Sequence, residues 1–237
     1  MTVAKDVKAM EAVGPLFDRE QMLETRMRTR AALHSIAAAI RPGMLEEEAV
    51  EFAKDTLADL GMLKGWHDVY VRFGRNTTKM FGHKSEPGVV LEENDIFFLD
   101  IGPVFKLWEG DAGETFTTGA DRERARCAAD AKWLFHIVRR QWESTGLNGR
   151  ELYDYAAHQA QRLGWELNLE WNGHRVSEFP RAVHFDGSLT DLNIKPASLI
   201  WILEMHIRHP EGHYGAFFED MLLDDSFFAG QPALHLP

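Results

Sequence analysis

A pair of helices followed by apolar, strand-like sequence occurs twice in this chain, and that repetition restricts the fold more than any other feature. Between Asp18 and Ile40, the apolar residues Met22, Leu23, Met27, Ala31, Leu33, Ile36, Ala37 and Ile40 fall mostly at helical spacing, and Arg41-Pro42-Gly43 stops the pattern. A second helix is expected from about Leu45 to Leu60. It opens on Glu46, Glu47 and Glu48, where a helix dipole favours carboxylates, and closes at Gly61. After short β-like stretches, the first around Val69 to Phe73, the order returns: a helix from about Arg122 to Trp142, a break at Gly146, and a helix from Arg150 to Leu163 ending at Gly164. Gly43, Glu48, Ala53, Leu60 and Gly61, moved by 103 positions, land on Gly146, Glu151, Ala156, Leu163 and Gly164. Glycine after a helix and glutamate at its start recur widely, but five identities at one offset point to two similar halves.

Each half then ends in β-rich sequence, Asp95-Ile96-Phe97-Phe98-Leu99-Asp100-Ile101 in the first and Leu199-Ile200-Trp201-Ile202-Leu203-Glu204 in the second. Shifted by 103, Asp100 falls one residue from Glu204, so acidic residues stand at matching strand ends. No Pro/Ser-rich linker or compositional break separates the halves. The expectation is an α/β (α+β) domain spanning 18–237, its two halves sharing one sheet with helices on one face, preceded by an extension over 1–17.

The acidic strand residues carry the chemistry. Asp111 follows Asp100 by eleven positions, and a turn around Gly102-Pro103 would fold the second stretch back as a hairpin and bring the carboxylates together. Glu204 interrupts Trp201-Ile202-Leu203-Glu204-Met205, and Glu219 interrupts Ala216-Phe217-Phe218-Glu219-Asp220-Met221. A carboxylate inside an otherwise buried strand costs several kcal/mol unless it is paired or coordinated, and Arg208 is the only Lys or Arg between the last two. His174, in Trp171-Asn172-Gly173-His174, lies where a loop leads back towards the sheet. A strand-end Asp alone is ordinarily a turn or cap residue, and Glu219-Asp220 alone fits an exposed edge; five candidate donors in two matching halves favour a metal site. Oxygen-rich donors with one imidazole suit two divalent ions of intermediate hardness, Mn, Fe, Co or Zn.

Composition narrows the partners. A net charge of -11 disfavours a nucleic acid or an anionic membrane surface, which Lys and Arg must neutralise. Cys127 is the single cysteine, so neither an intrachain disulfide nor a thiolate-rich zinc site can form, which fits a cytoplasmic location. The first residues lack the apolar core of a signal peptide, and no run approaches the ~20 apolar residues of a membrane span. His136 and His158 fall within helices and read as packing or surface residues.

The order Asp100, Asp111, His174, Glu204, Glu219 resembles that of the pita-bread metallopeptidases, which include methionine aminopeptidase, aminopeptidase P and prolidase. The stretch Arg41-Pro42-Gly43-Met44 followed by glutamates is similar to the family's amino-terminal segment, and the likeness spans about Asp18 to Asp224. It implies a pita-bread catalytic domain in which Asp111 and Glu219 bridge two ions, Asp100 holds one, and His174 with Glu204 holds the other. Glu204 would also carry the proton from an attacking water to the leaving nitrogen. By the same resemblance His83, seventeen residues before Asp100, would contact substrate, and His184 would stand in for a second family histidine seven residues after the metal histidine, where this chain has Arg181.

Two further departures bear on substrate: Phe217 stands where proline-specific members place Arg, and Glu114 where Arg or Thr is usual. The implied activity is hydrolysis of an amide bond near the amino end of a small peptide or peptide-like molecule. A metal enzyme acting on a small non-peptide metabolite and a non-catalytic binding module are the alternatives, and a homodimer is left open.

Overall fold

The computed structural model describes residues 7–62, 64–79, 82–181 and 185–228. After a short helix α1 (Val7–Met10), the two expected helix pairs are α2 (Arg19–Ala39) with α3 (Glu46–Asp59), and α4 (Arg122–Ser144) with α5 (Gly149–Leu163). Three of these four, α2, α4 and α5, begin at a side chain able to satisfy free backbone N–H groups, whereas Leu45 before α3 has none to offer. Asp18 accepts from Glu20 and Gln21, Asp121 from Glu123 and Arg124, and Asn148 from Glu151. Helix α5 ends at Gly164, whose φ of +87° favours a residue without Cβ. The glutamate run does more than start α3. Glu48 accepts the Leu45 N–H, while buried Glu46 accepts from the Phe73 N–H (2.6 Å) and Asn76 Nδ2 (3.0 Å), pinning the helix to the following sheet strand.

The strands are β1 (Lys64–Gly65), β2 (Tyr70–Phe73), β3 (Ile96–Ile101), β4 (Pro103–Phe105), β5 (Trp108–Glu109), β6 (Ala112–Thr117), β7 (Glu166–Leu167), β8 (His174–Arg175), β9 (Trp201–Arg208) and β10 (Gly215–Met221). The main sheet runs β2-β3-β6-β10-β9-β7, antiparallel throughout, with β8 also pairing β9. Strands of the first half thus meet strands of the second at the central pair β6 and β10. Only Phe218↔Glu114 and Glu219↔Gly113 pair there. Beyond them the Thr115 hydroxyl bridges the strands, donating to the Phe217 carbonyl (2.9 Å) and accepting the Phe217 N–H (2.7 Å).

Helices α4 and α5 bury Leu134, Phe135, Val138, Leu152 and Tyr153 against Leu203, Met205 and Phe218 of the sheet, and α2 and α3 do the same with Leu33, Ile36 and Ala53 against Phe97 and Leu99. Burial on both faces explains why β3 and β9 read as continuous apolar runs. The segment before α2 is tied to the second half. Arg175 Nη1 donates to the Met10 and Ala12 carbonyls, and Glu11 accepts from the Ala197 N–H and Trp201 Nε1.

One connection differs from expectation. Strands β3 and β6 pair, but the chain between them is not a simple turn at Gly102-Pro103. Residues 103–109 form a hairpin of their own, β4–β5, with Lys106 at φ +57° in its turn, and β1 adds to its edge. Its base is closed by the Gly110 N–H donating to the Pro103 carbonyl (2.8 Å).

Candidate metal centre

Directly opposed residues of antiparallel strands point to the same face. Asp100 opposes Gly113, Gly113 opposes Glu219, and Glu219 opposes Glu204, so three carboxylates and one glycine form a row across β3, β6, β10 and β9. Gly113 is the gap that makes the row workable. A Cβ there would run into the Phe217 ring and come within 2.9 Å of Glu219 Oε1. Asp111 enters the same space just before β6, and His174 does so from β8. His174 Nε2 lies 2.8 Å from Asp111 Oδ2 and 3.5 Å from Glu204 Oε1. Its Nδ1 is 2.8 Å from the Arg175 carbonyl, which fixes the proton on Nδ1 and turns the Nε2 lone pair to the carboxylates. The Gly173 N–H holds Glu204 Oε2 at 2.8 Å, leaving Oε1 to the cluster. All five expected donors therefore converge, and the four carboxylates are between 1% and 7% exposed.

Neighbours on the opposite face show what an ordinary buried carboxylate looks like here. Asp220 takes two 2.6 Å bonds from Arg26, with Arg30 at 3.3 Å, and Glu114 is held by Arg30 (2.6 Å) and Lys132 (2.7 Å). Those partners hold Asp220 below the usual carboxylate range despite its burial. On the site face no Lys or Arg pairs with Asp100, Asp111, Glu204 or Glu219 among the described residues, and Glu219 Oε1 has no hydrogen-bond partner there. Burial, reinforced by Asp111, Asp100 and Glu204, drives Glu219 well above the ordinary value. Asp100 is pushed up to about 7 by burial, with Asp111 and Glu204 adding to it against His67. Burial likewise raises Glu204. For Asp111 the opposing hydrogen bonds and charges of His174 and His67 outweigh burial and hold it at about 2. So dense a set of carboxylates requires positive charge. Oxygen donors with imidazole, converging and partly unsatisfied, fit divalent cations.

The donors form the floor of a cavity of about 390 Å³. Trp66, Trp171 and Arg181 line its walls, with Glu170 and Asp186 also contributing. The Arg181 guanidinium stacks 3.7 Å over the Trp66 ring, and its Nη1 is 3.7 Å from Glu109 Oε1. Glu109 is itself buried and accepts the N–H groups of Ser177 and Arg181. Phe217 packs against Trp171 (4.6 Å between ring centroids) and Phe98 (5.4 Å), which makes the site face apolar beside Glu219.

His83 is exposed and does not line this cavity; its carbonyl accepts from Arg72 Nη2 (2.8 Å). His184 lies outside the described residues. The three histidines within residues 205–214 divide: His206 is buried, between the Thr77 carbonyl and Asn168, whereas His209 and His213 cluster with Glu211 in the β9–β10 hairpin and do not line the cavity. A residue that sequence reasoning missed stands in the centre instead. The His67 ring is buried, with Nε2 at 3.4 Å from both Asp100 Oδ1 and Asp111 Oδ1. Burial opposes its protonation, but the two aspartates outweigh that and push it up to about 9. His67 sits in irregular chain after a two-residue strand, where no periodicity marks it; only its place beside Gly65-Trp66 distinguishes it locally.

Two matching halves, a shared antiparallel sheet, outer helices and a carboxylate–imidazole cluster at the centre of that sheet together define a pita-bread protein with a candidate metal centre. The chain belongs to metallopeptidase family M24, whose family model matches residues 20–223. No curated protein matches it by sequence. Among solved structures it is similar to the X-Pro aminopeptidase of Thermotoga maritima (18% identity, TM-score 0.67), covering 86% of this chain and 58% of that one. It is similar to the prolidase of Pyrococcus horikoshii to nearly the same degree (18%, TM-score 0.65, 86% and 58%). The methionine aminopeptidase of Thermotoga maritima, at 16% identity and TM-score 0.69, is covered over 93% of its length by 87% of this chain. The chain thus spans under two thirds of the X-Pro aminopeptidase and prolidase chains. No described helix is long and apolar enough to cross a membrane.

Proposed function

We propose that the chain is a dinuclear-metal hydrolase of amide bonds, of the aminopeptidase type, acting on a small peptide or peptide-like molecule. One observation carries the reading: Asp111 belongs to two donor groups at once, with His67 and Asp100 on one side and with His174 and Glu219 on the other. Its Oδ1 faces the first and its Oδ2 the second, the disposition of a carboxylate shared by two ions. When bound, two divalent ions such as Mn, Fe, Co or Zn would polarise the scissile carbonyl and supply an activated water.

The remaining work falls to the chain. Glu204 is oriented by the Gly173 N–H on Oε2, so Oε1 is the atom that takes a proton from the attacking water. As the carbonyl carbon gains oxygen and the C–N bond breaks, the proton leaves with the amine. The tryptophan walls narrow the approach to the donors, and a cavity of about 390 Å³, at the small end of the ~300–1,000 Å³ usual for ligand sites, favours a dipeptide-sized substrate. Phe217, where proline-specific relatives carry Arg, argues against dependence on proline.

A second reading, turnover of a small non-peptide metabolite by the same centre, is favoured by one feature: Arg181, Glu170 and Asp186 all line this small cavity, enough to fix a doubly charged molecule. A panel of di- and tripeptides, with and without proline second, assayed with Mn, Co and Zn, tests the proposal. Hydrolysis that is lost in Asp111→Ala supports it. Turnover confined to non-peptide amides would select the second reading, and no turnover at full metal occupancy would remove both.

A further inference from the structure

We propose that His67 is a direct metal ligand, joining Asp100 and Asp111, so that each ion of the centre is held by one imidazole. The inference rests on the dinuclear reading above and adds to it a ligand that neither the family order of donors nor the sequence singles out.

Four observations on this chain carry it. First, the His67 ring is oriented: Nδ1 lies 2.6 Å from the Asp68 carbonyl and donates to it, so Nε2 is the nitrogen directed at the two aspartates, and a cation displacing its proton would meet its lone pair there. Second, the spacing suits coordination better than hydrogen bonding. Nε2 stands 3.4 Å from each Oδ1, beyond the ~2.7–2.9 Å of a charge-assisted hydrogen bond. Donors sharing one ion at about 2.0–2.2 Å lie roughly 3–3.4 Å apart.

Third, the fold is cut to fit this ring. A Cβ at Gly102, two residues after Asp100, would collide with the His67 imidazole. The preceding Trp66 is tied down by its N–H to the Gly102 carbonyl (2.9 Å) and its Nε1 to the Gly110 carbonyl (3.0 Å), and its ring meets the imidazole edge-on at 4.3 Å. Fourth, His67 repeats the construction of His174. Each donates Nδ1–H to the carbonyl of the next residue, and each aims Nε2 at Asp111, His67 at Oδ1 and His174 at Oδ2. They are 107 residues apart (174 − 67), close to the 103-residue repeat that relates the two halves. The centre is then pseudo-symmetric in its imidazoles as well as its carboxylates. A second nitrogen donor shifts its preference from Mn towards Zn, Co or Fe.

The test uses the full chain loaded with Co or Zn. X-ray absorption of the wild-type protein should give on average one imidazole per ion, and His67→Gln should halve that count. Competition titration should show one of two ions bound at least tenfold more weakly in His67→Gln, with the other unchanged. Circular dichroism and melting of the chelator-treated variant confirm that the change is not loss of fold. The wild-type spectrum needs no variant, so the test survives if substitution prevents folding. Two bound ions sharing a single imidazole, with His67→Gln neutral, would overturn the inference and leave the dinuclear reading standing. A wild-type chain that binds no ions would overturn the dinuclear reading itself.

Discussion

Gly113→Ala isolates how much of the centre depends on a single missing methyl group. The ideal Cβ would lie 2.6 Å from one carbon of the Phe217 ring, closer still to a second, and 2.9 Å from Glu219 Oε1. Ordinary contact begins near 3.4 Å, so the ring must move by about 0.8 Å or more. Phe217 has nowhere to go, being fully buried and wedged between Phe98 and Trp171. Overpacking of this kind costs about 1–3 kcal/mol, or a fall of roughly 2–12 °C in melting temperature for a domain of this size. Because Glu219 Oε1 must shift as well, ion affinity should fall at least tenfold. Gly146→Ala is the control: nothing lies within 4 Å of its Cβ and its φ is not positive, so it should not destabilise, and the loss of unfolded-chain freedom should raise stability by up to about 1 kcal/mol. Thermal melts with and without chelator, followed by metal titration, read both effects. A Gly113→Ala protein as stable and as tightly metal-binding as wild type would refute the row of opposed side chains as the organising element.

Other outcomes follow from the same geometry. Arg26→Met should destabilise by about 3 kcal/mol, the low end for breaking a buried pair because Arg30 remains 3.3 Å from Asp220, whereas Arg26→Met with Asp220→Leu should recover most of the loss; additive denaturation energies would contradict this. Burial, with Lys132 and Arg139 nearby, lowers His136 to about 4 against 6.5 when unfolded. The unfolded chain therefore takes up this proton first, and the folded state loses stability as pH falls from 6.5 through 4. His136→Gln should show a shallower loss than wild type across that window in pH-dependent melts, and parallel curves would exclude the effect. Asn168→Ala leaves His206 Nδ1 without its 3.0 Å donor and should cost about 1–3 kcal/mol by urea titration; a neutral result would mean that water replaces the amide.

The repeat, the helix pairs and the strands carrying Asp100 and Glu204 were legible because each is set locally, by helical spacing, by caps such as Asp18 and Asn148, and by apolar runs. Asp100, Glu204 and Glu219 stood out as candidate donors because carboxylates inside those runs have no local reason to be there, whereas Asp111 and His174 stood out only through their order and spacing relative to them. What escaped was set at long range. His67 gains meaning only when Gly102 and Asp111 arrive against it, 35 and 44 positions later (102 − 67 and 111 − 67). The β4–β5 hairpin was missed because Lys106 adopts a positive φ with no glycine to announce it. Sequence distance from Asp100 recommended His83, but the chain before β3 carries that side chain along the outside. Asp220, which alone resembles an edge residue beside Glu219, is buried on the opposite face because strand alternation turns it to Arg26.

The most direct measurement is the metal content of the purified full chain, wild type against Asp111→Ala, after equilibration with a divalent ion and removal of the excess. The shared carboxylate requires about two ions per chain in the wild type and no more than one, weakly held, in the variant. Two ions retained by Asp111→Ala, or none bound by the wild type, would contradict the dinuclear centre.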